Sequence, residues 1–266
     1  MRLTLLSHFL NEEILLPHWV RHHREMFDHA ILVDYGSTDS SLEIIKDMWP
    51  TAEVVKTSNN PLNIYHTDKE MMGLETTVDG WKVILNIPEF IVPWNGDLKS
   101  YIADFELTNP NIGFQTWGIW IQDRPEEINK PFTDESILLQ RTFGYDDEVH
   151  AWGGNRARHR LVHKAPHGDY SGGRHSTHHQ VNMVNNVFCV WFGLGLPEIK
   201  LKRNLSIAHT MSHRSDSLAG TGWQSHHRWD REMIYKLYNE RAQYCSELTQ
   251  HPIYGEALEH LRKRSG

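Results

Sequence analysis

Apolar residues along the first part of the chain change their period repeatedly. Leu3-Thr4-Leu5-Leu6 reads as a short buried strand, whereas Ile14, Leu15, Trp19, Val20 and Met26 fall at helical spacing with Pro17 in the first turn, which predicts a helix over Ile14 to Met26. Ala30-Ile31-Leu32-Val33 is a second continuous apolar run, ended by the polar turn Asp34-Tyr35-Gly36-Ser37-Thr38-Asp39. Ser40 and Glu43 have capping-box spacing and open a helix to about Trp49, and Glu53-Val54-Val55-Lys56 is a third short strand. The order β-α-β-α-β over Met1 to Thr57 implies a parallel sheet with right-handed crossovers.

After the polar loop Ser58-Asn59-Asn60-Pro61, a helix is expected around Thr67 to Thr76 and a buried strand at Trp81 to Leu85, with Pro88 marking its end. Leu98 to Phe105 reads as a short helix and Ile112 to Ile121 as an aromatic-rich strand. Asp146 to His179 is rich in glycine and histidine and reads as loop, while Asp230 to Leu248 and Glu256 to Arg264 read as C-terminal helices. No internal repeat or linker interrupts the pattern. The expected organisation is one α/β domain over residues 1–228 with a helical extension, 229–266, packed on it.

Composition narrows the classes. The 266 residues are 39% hydrophobic and 23% charged, a globular balance. A net charge of −7 argues against a protein that wraps nucleic acid through its overall field. Two cysteines, Cys189 and Cys245, make no disulfide framework and no zinc-like spacing, so a reducing compartment is expected. The apolar run Val187 to Leu196 is too short to cross a bilayer. No signal peptide is read at Met1, so the expected location is the cytosol. The run Val187 to Leu196, followed by Glu198-Ile199-Lys200-Leu201-Lys202-Arg203, leaves peripheral membrane contact open, against the plainer reading of a core strand. Nineteen histidines would carry the formal charge from −7 to +12 if all were protonated, which predicts loss of solubility or stability just below neutral pH.

Ligands of an open parallel sheet bind beyond the carboxyl ends of its strands, where Ser7 to Glu13, Asp34 to Asp39 and Asn86 to Glu89 fall. The carboxylates and hydroxyls of Asp34 to Asp39 suit a nucleoside base and ribose; the same residue types are also the default caps of a helix start. Trp117, Trp120 and Trp152 are candidates for stacking on sugar rings or for core packing. His159 with His163, and His209 with His213, have the i,i+4 spacing of zinc ligands on a helix, but neither pair carries the H-E-x-x-H glutamate and the flanking sequence is not helical. His178-His179 and His226-His227 read as surface or acceptor-loop residues.

Asn11-Glu12-x3-Leu16-Pro17-x-Trp19-x2-His22-His23, followed by Ile31-Leu32-Val33-Asp34-x-Gly36-Ser37-Thr38-Asp39, resembles the opening of family 2-type glycosyltransferases with the GT-A fold, specifically over residues 3 to 46. A looser likeness continues through Trp81 to Val92, then Arg160-Leu161-Val162-His163-Lys164, Gly173-Arg174-His175, and Ile207-Ala208-His209 with Arg214-Ser215. The resemblance implies a GT-A-like (Rossmann-like), mostly parallel α/β sheet flanked by helices. It also implies transfer of a sugar from a nucleoside diphosphate donor to a glycan or other hydroxyl acceptor. By the same resemblance, Asn11, Glu12, Asp34, Ser37, Asp39 and Asn86 hold the donor nucleotide. The family's D-x-D-E-F, which binds a divalent metal on the diphosphate, is here Asn86-Ile87-Pro88-Glu89-Phe90, and neutral Asn and Pro do not supply the anionic oxygens that Mg²⁺ or Mn²⁺ favour.

Three readings follow from that departure. The favoured one is metal-independent neutralisation of the diphosphate by Arg156, Arg158 and Arg160, which share a face if extended, with His175 and His209. The second is a catalytically silent GT-A-like module that binds nucleotide or glycan. The third is a Mn²⁺ or Mg²⁺ site rebuilt from Glu89 and either His175 or His209. An inverting transferase also needs a general base; the candidates are Asp146 and Asp147, in the cluster with Glu148, then Glu89, with Asp123 as a further option. A metal-dependent hydrolase using the histidine-rich half is the reading from another class.

Overall fold

The computed structural model describes residues 1–59, 64–146, 160–207 and 230–265. Its centre is β1 (Leu3–Phe9), which pairs in parallel with β2 (His29–Asp34) on one side and β4 (Trp81–Asn86) on the other; β3 (Glu53–Lys56) extends β2 in parallel as the edge strand. The expected β-α-β-α-β opening is therefore present. Side chains alternate across both buried faces. Leu3, Leu5, Leu32, Val83 and Leu85 face one core, under α1 (Leu16–His23) and α2 (Ser41–Met48). Leu6, Ile31, Val33 and Ile84 face a second core with Met71 of α3 (Ile64–Glu75).

The other half is antiparallel and mixed. β8 (Leu161–His163) runs antiparallel to both β4 and β6 (Gly113–Gln122), and β7 (Phe143–Asp146) lies antiparallel to β6. β9 (Asn182–Gly195) is parallel to β6 and antiparallel to β5 (Glu89–Pro93), a strand that the sequence pattern missed because Pro88 interrupts it from β4. Two glycines permit these pairings: a Cβ at Gly144 would lie 1.9 Å from the Trp120 carbonyl oxygen, and one at Gly195 would lie 1.8 Å from that of Ile121. The run Val187 to Leu196 is thus mostly buried, its residues to Gly195 forming the second half of β9, and it packs in the core.

Several expected boundaries shift for local reasons. α1 is shorter than Ile14 to Met26, beginning after a turn in which the Leu15 and Leu16 N–H groups donate to the Glu12 carbonyl. The Ser40 and Glu43 capping box does not form; Asp39 Oδ1 accepts the Ser41 N–H at 3.0 Å, and the Ser40 N–H donates to Glu13 Oε2 at 3.2 Å. α4 (Leu98–Thr108) is capped by Asp97, and the short α5 (Ile137–Gln140) precedes β7. α6 (Pro197–Ile207) follows β9 directly. The helix expected from Asp230 to Leu248 stops early as α7 (Arg231–Ala242), because Ser246–Glu247 pair with β7 as β10. α8 (Tyr254–Ser265) ends the chain; Tyr254, Ala257 and Leu258 are buried in the first core, so the C-terminal segment packs on the sheet.

The histidine pair of α1 seats that helix on β5. His22 Nε2 donates to the Ile91 carbonyl at 2.8 Å, while His23 donates from Nδ1 to the Trp19 carbonyl at 2.9 Å and accepts the Ile91 N–H at Nε2, 3.3 Å away. Trp19 Nε1 adds a bond to the Glu89 carbonyl at 2.9 Å. Both ring nitrogens of His23 are thereby committed to the neutral tautomer.

Candidate functional site

The three polar segments converge beyond the carboxyl ends of β1, β2 and β4, and the first two are sewn together. Asp34 Oδ1 accepts the N–H groups of Gly36 (3.2 Å) and Ser37 (2.8 Å), a turn that uses Gly36 at φ +90°. Asn11, also left-handed at φ +52°, accepts the Thr38 N–H at Oδ1 (2.8 Å) and donates its own N–H to Ser37 Oγ (3.2 Å). The Glu12 N–H donates to Ser41 Oγ at 3.0 Å, and Asp39 Oδ2 accepts the Glu13 N–H at 3.0 Å. Five of the residues expected to bind a nucleoside, Asn11, Glu12, Asp34, Ser37 and Asp39, are therefore brought together.

α6 closes over this weave. Arg203 pairs with the carboxylate of Glu12, and Asn11 Nδ2 donates to the Ser206 carbonyl at 3.3 Å. Burial pushes the Glu12 carboxyl up against the opposing pull of Arg203. A cavity of about 120 Å³ remains between Asn11, Glu12, Asp39 and the α6 residues Lys202, Arg203 and Ser206.

At the end of β4 the Asn86 to Phe90 segment forms a buried ion-pair floor. Glu89 is fully buried; it accepts the Asn86 N–H at 2.8 Å, the Asn86 Nδ2 at 3.2 Å, and two bonds from Arg160, one at 2.7 Å from Nε. Arg160 is 1% exposed and also donates to the carbonyls of Gly173 (3.1 Å) and Arg174 (2.8 Å). Its guanidinium is thus a buried structural partner of Glu89, and the expected direct clamp on a solvent-borne diphosphate is not its geometry here. Glu89 is likewise unsuited to a base role, since both of its oxygens accept from Arg160. His175 lies 3.3 Å from Arg160 Nη1 through Nδ1.

The side chain of Arg174, whose carbonyl Arg160 binds, carries a second buried guanidinium. Arg174 pairs with Asp68 of α3 through Nη1 and donates from Nη2 to Asn86 Oδ1 at 2.8 Å, with His8 Nδ1 3.5 Å away. Asp68 also accepts the Gly173 N–H at 2.7 Å. The segment that carries Arg174 is anchored behind the sheet, where buried Glu75 accepts from Gly168 N–H (2.7 Å) and Tyr170 Oη (2.8 Å) and faces His163 Nε2 at 2.9 Å. His163 sits in β8, not on a helix. His8, at the end of β1, is held well below its ordinary pKa by burial and then by the charges of Arg174, Arg203 and Arg160. Of the three, Arg174 is the one in direct approach to the His8 ring.

Sequence reasoning missed Arg174, Asp68, Arg203 and His8 as members of the site. Arg174 lay inside the Gly173-Arg174-His175 segment and Arg203 inside a cationic run, but no local spacing connects either with β1. Asn86 Oδ1 accepts from Arg174 and both Glu89 oxygens accept from Arg160, so these residues do not fit a hard divalent cation. Among the described residues no group of three or more His, Cys, Asp or Glu side chains is placed to hold a metal ion.

The remaining candidates fall elsewhere. Asp146, at the end of β7, is 8% exposed and accepts from His251 Nε2 at 3.0 Å. Asp123 is buried against Arg141 at 2.7 Å, and burial pushes it up to about 7. Trp120 is core, stacked on Tyr145 at 5.6 Å and edge-on to Trp191, and Trp117 is partly buried against the main core. Asp147, Glu148, Trp152, Arg156, Arg158, His159, His209, His213, His226 and His227 lie outside the described residues.

No protein-family model matches the chain, and no curated protein matches it in sequence. Among solved structures, similar chains include S. aureus TarS 1–349, at 14% identity and a TM-score of 0.44, covering 100% of this chain and 82% of that one. The same TarS fragment in complex with UDP-GlcNAc gives 12% identity and a TM-score of 0.43, with coverage of 100% and 82%. Glucosyl-3-phosphoglycerate synthase from Mycobacterium tuberculosis, in complex with Mn²⁺, UDP and glucosyl-3-phosphoglycerate, gives 13% identity and a TM-score of 0.36, covering 61% of this chain and 56% of that one. No residue role is carried across at these identities.

Proposed function

We propose that the chain is a glycosyltransferase that takes a nucleoside diphosphate sugar and transfers the sugar to a glycan or another hydroxyl acceptor without a divalent metal. The observation that carries this reading is the weave of Asn11, Asp34, Ser37 and Thr38 at the carboxyl ends of β1 and β2, with Arg203 of α6 on Glu12 and Arg174 on Asn86 beside it. In this reading the nucleoside lies against Asn11, Glu12, Asp34, Ser37 and Asp39. Arg203, with 28% of its side chain exposed, touches the diphosphate. Arg160 and Arg174, paired with the carboxylates of Glu89 and Asp68, form the floor below it, and Arg203 supplies the charge-assisted hydrogen bonds in place of a metal. Asn86 orients Arg174, and His175, Arg156, Arg158 and His209 remain candidates for the same anion.

In the transfer step the acceptor oxygen bonds to the anomeric carbon as that carbon's bond to the diphosphate oxygen breaks. The bonding pair leaves with the nucleoside diphosphate, and the acceptor proton passes to a carboxylate. Asp146 and Asp147 are the sequence candidates for that carboxylate.

A second reading, a nucleotide- or glycan-binding module without turnover, is favoured by the small cavity under α6 and by the internal bonding of Glu89. Calorimetric titration with UDP, GDP, dTDP and CMP, first in EDTA and then with Mn²⁺, tests the donor pocket. Donor turnover with UDP-sugars, the ligands seen with similar structures, tests transfer. Binding of one nucleotide with the same affinity in both conditions, weakened about tenfold or more by Arg203→Gln, is the expected result. Binding only with Mn²⁺ overturns the metal-free reading, and binding without turnover selects the silent module.

A further inference from the structure

We infer that α6 is a self-inhibitory cover on the donor pocket: its last turn is docked on Asn11 and Glu12, and a nucleoside diphosphate enters only by displacing it. The inference rests on the donor-pocket part of the reading above. Its first observation is what holds that turn down. The Ser206 carbonyl accepts from Asn11 Nδ2 at 3.3 Å, and Arg203 pairs with the Glu12 carboxylate. Both partners belong to the set read as holding the nucleotide. The cavity left between them and α6, about 120 Å³, is well below the roughly 300 Å³ at which pockets for small-molecule ligands begin. A nucleoside diphosphate sugar and the docked turn therefore exclude each other.

The second observation is that docking is opposed at Asn204. Ile199, Lys202, Arg203 and Ser206 line the cavity at helical spacing, so they share one face of α6. Lys200 and Asn204, one turn apart on the adjoining face, are 7% and 3% exposed. Lys200 is near enough for its charge to pull on the Glu12 carboxyl. Asn204 differs, because among the described residues neither Oδ1 nor Nδ2 meets a hydrogen-bonding partner. An amide withdrawn from water without a partner disfavours the arrangement that buries it. Release of the last turn returns that amide to solvent. The start of the helix stays anchored on α7, since Glu198 accepts from Arg231 Nη2 at 3.0 Å and from Tyr235 Oη at 2.7 Å. Arg203 couples release to the ligand: a diphosphate offers its guanidinium a more highly charged partner than Glu12, whose ionised form burial already disfavours.

The experiment uses two variants outside the proposed binding set. Asn204→Leu removes the unpaired amide and keeps a side chain of similar size, so it favours the docked turn. Leu205→Gly loosens the same turn at a position that is 69% exposed. Amide hydrogen exchange reads the docking of α6, and calorimetry with UDP, GDP, dTDP and CMP in EDTA reads binding. Asn204→Leu should slow exchange in the last turn and weaken affinity by roughly 5- to 100-fold, since apparent affinity scales with the fraction of molecules in which the turn is released. Leu205→Gly should speed exchange and tighten binding about two- to fivefold, which damage to the fold alone would not do. Slower exchange with unchanged affinity in Asn204→Leu overturns the inference, as does weaker or unchanged binding in Leu205→Gly. Faster exchange or failure to fold in Asn204→Leu would mean that the amide is paired, and weaker binding without slower exchange would make Asn204 a direct nucleotide contact; each also overturns it. If neither wild type nor Leu205→Gly binds any of the nucleotides, the donor-pocket reading falls and this one with it, whereas equal binding by all three proteins overturns only this one.

Discussion

Acidification should destabilise this protein through the histidine pair that ties α1 to β5. Burial lowers His22 from 6.5 to about 4, and it lowers His23 further below its ordinary value. For a base depressed in the folded state, the stabilising contribution is complete above the unfolded pKa near 6.5 and is lost as pH falls toward the folded value. Between pH 7.5 and 5.0 the unfolded chain takes up a proton at His22 that the folded chain refuses, a difference of about 2 kcal/mol from this ring alone. His23 acts in the same direction for a geometric reason. A proton on its Nε2 would face the Ile91 N–H, so charging the ring breaks that bond. His8 and His163 are also lowered by burial and add with the same sign. Asp123, pushed up to about 7, works in the opposite direction, because the folded state protonates it first on acidification. The decisive comparison is therefore between wild type and His22→Gln, by urea unfolding at pH 7.5, 6.0 and 5.0. The variant keeps a donor for the Ile91 carbonyl and should lose about 2 kcal/mol less stability across that window. Equal losses in the two proteins would refute the reasoning.

Other changes test the floor and the sheet. Arg160→Met leaves Glu89 buried without its cation and should destabilise by about 3–5 kcal/mol, most of it recovered in the double variant Glu89→Leu/Arg160→Met; chemical denaturation reads both, and a neutral single variant would contradict the buried pair. Gly195→Ala drives a Cβ into the Ile121 carbonyl and should lower stability by roughly 1–3 kcal/mol, so an unchanged unfolding midpoint would mean that β9 does not approach β6 as described. Asp68→Asn should disturb Arg174 and weaken nucleotide affinity severalfold in EDTA, and calorimetry showing wild-type affinity would remove Arg174 from the donor site.

The opening of the chain was legible because its information is local. Nearly continuous apolar runs place β1, β2 and β4 with both faces buried, and Asp34-x-Gly36-Ser37 carries its own turn, since the Asp34 carboxylate binds N–H groups only two and three residues away. Even there, the tertiary neighbours override a local signal: Ser40 and Glu43 have the spacing of a capping box, but Glu13 from the β1 loop takes the Ser40 N–H and Asp39 caps the helix. The histidine pair of α1 was visible as a motif, yet its job of gripping Ile91 spans nearly seventy positions and depends on a strand that Pro88 disguised.

What the sequence by itself determined is the parallel α/β half and the set of polar segments at its carboxyl end, because helix and strand periods and turn chemistry act over a few residues. Only the tertiary structure decided what surrounds Asn86 and Glu89 at the end of β4. Arg174 reaches His8 across 166 positions, and Arg203 reaches Glu12 across 191. No spacing in a chain encodes such meetings; they follow from the sheet order that brings β8, the segment after it and α6 back over β1 and β4. Burial then makes the meetings consequential, since a guanidinium held away from water beside Asn86 or Glu89 acts with a strength that the same residue on the surface does not have.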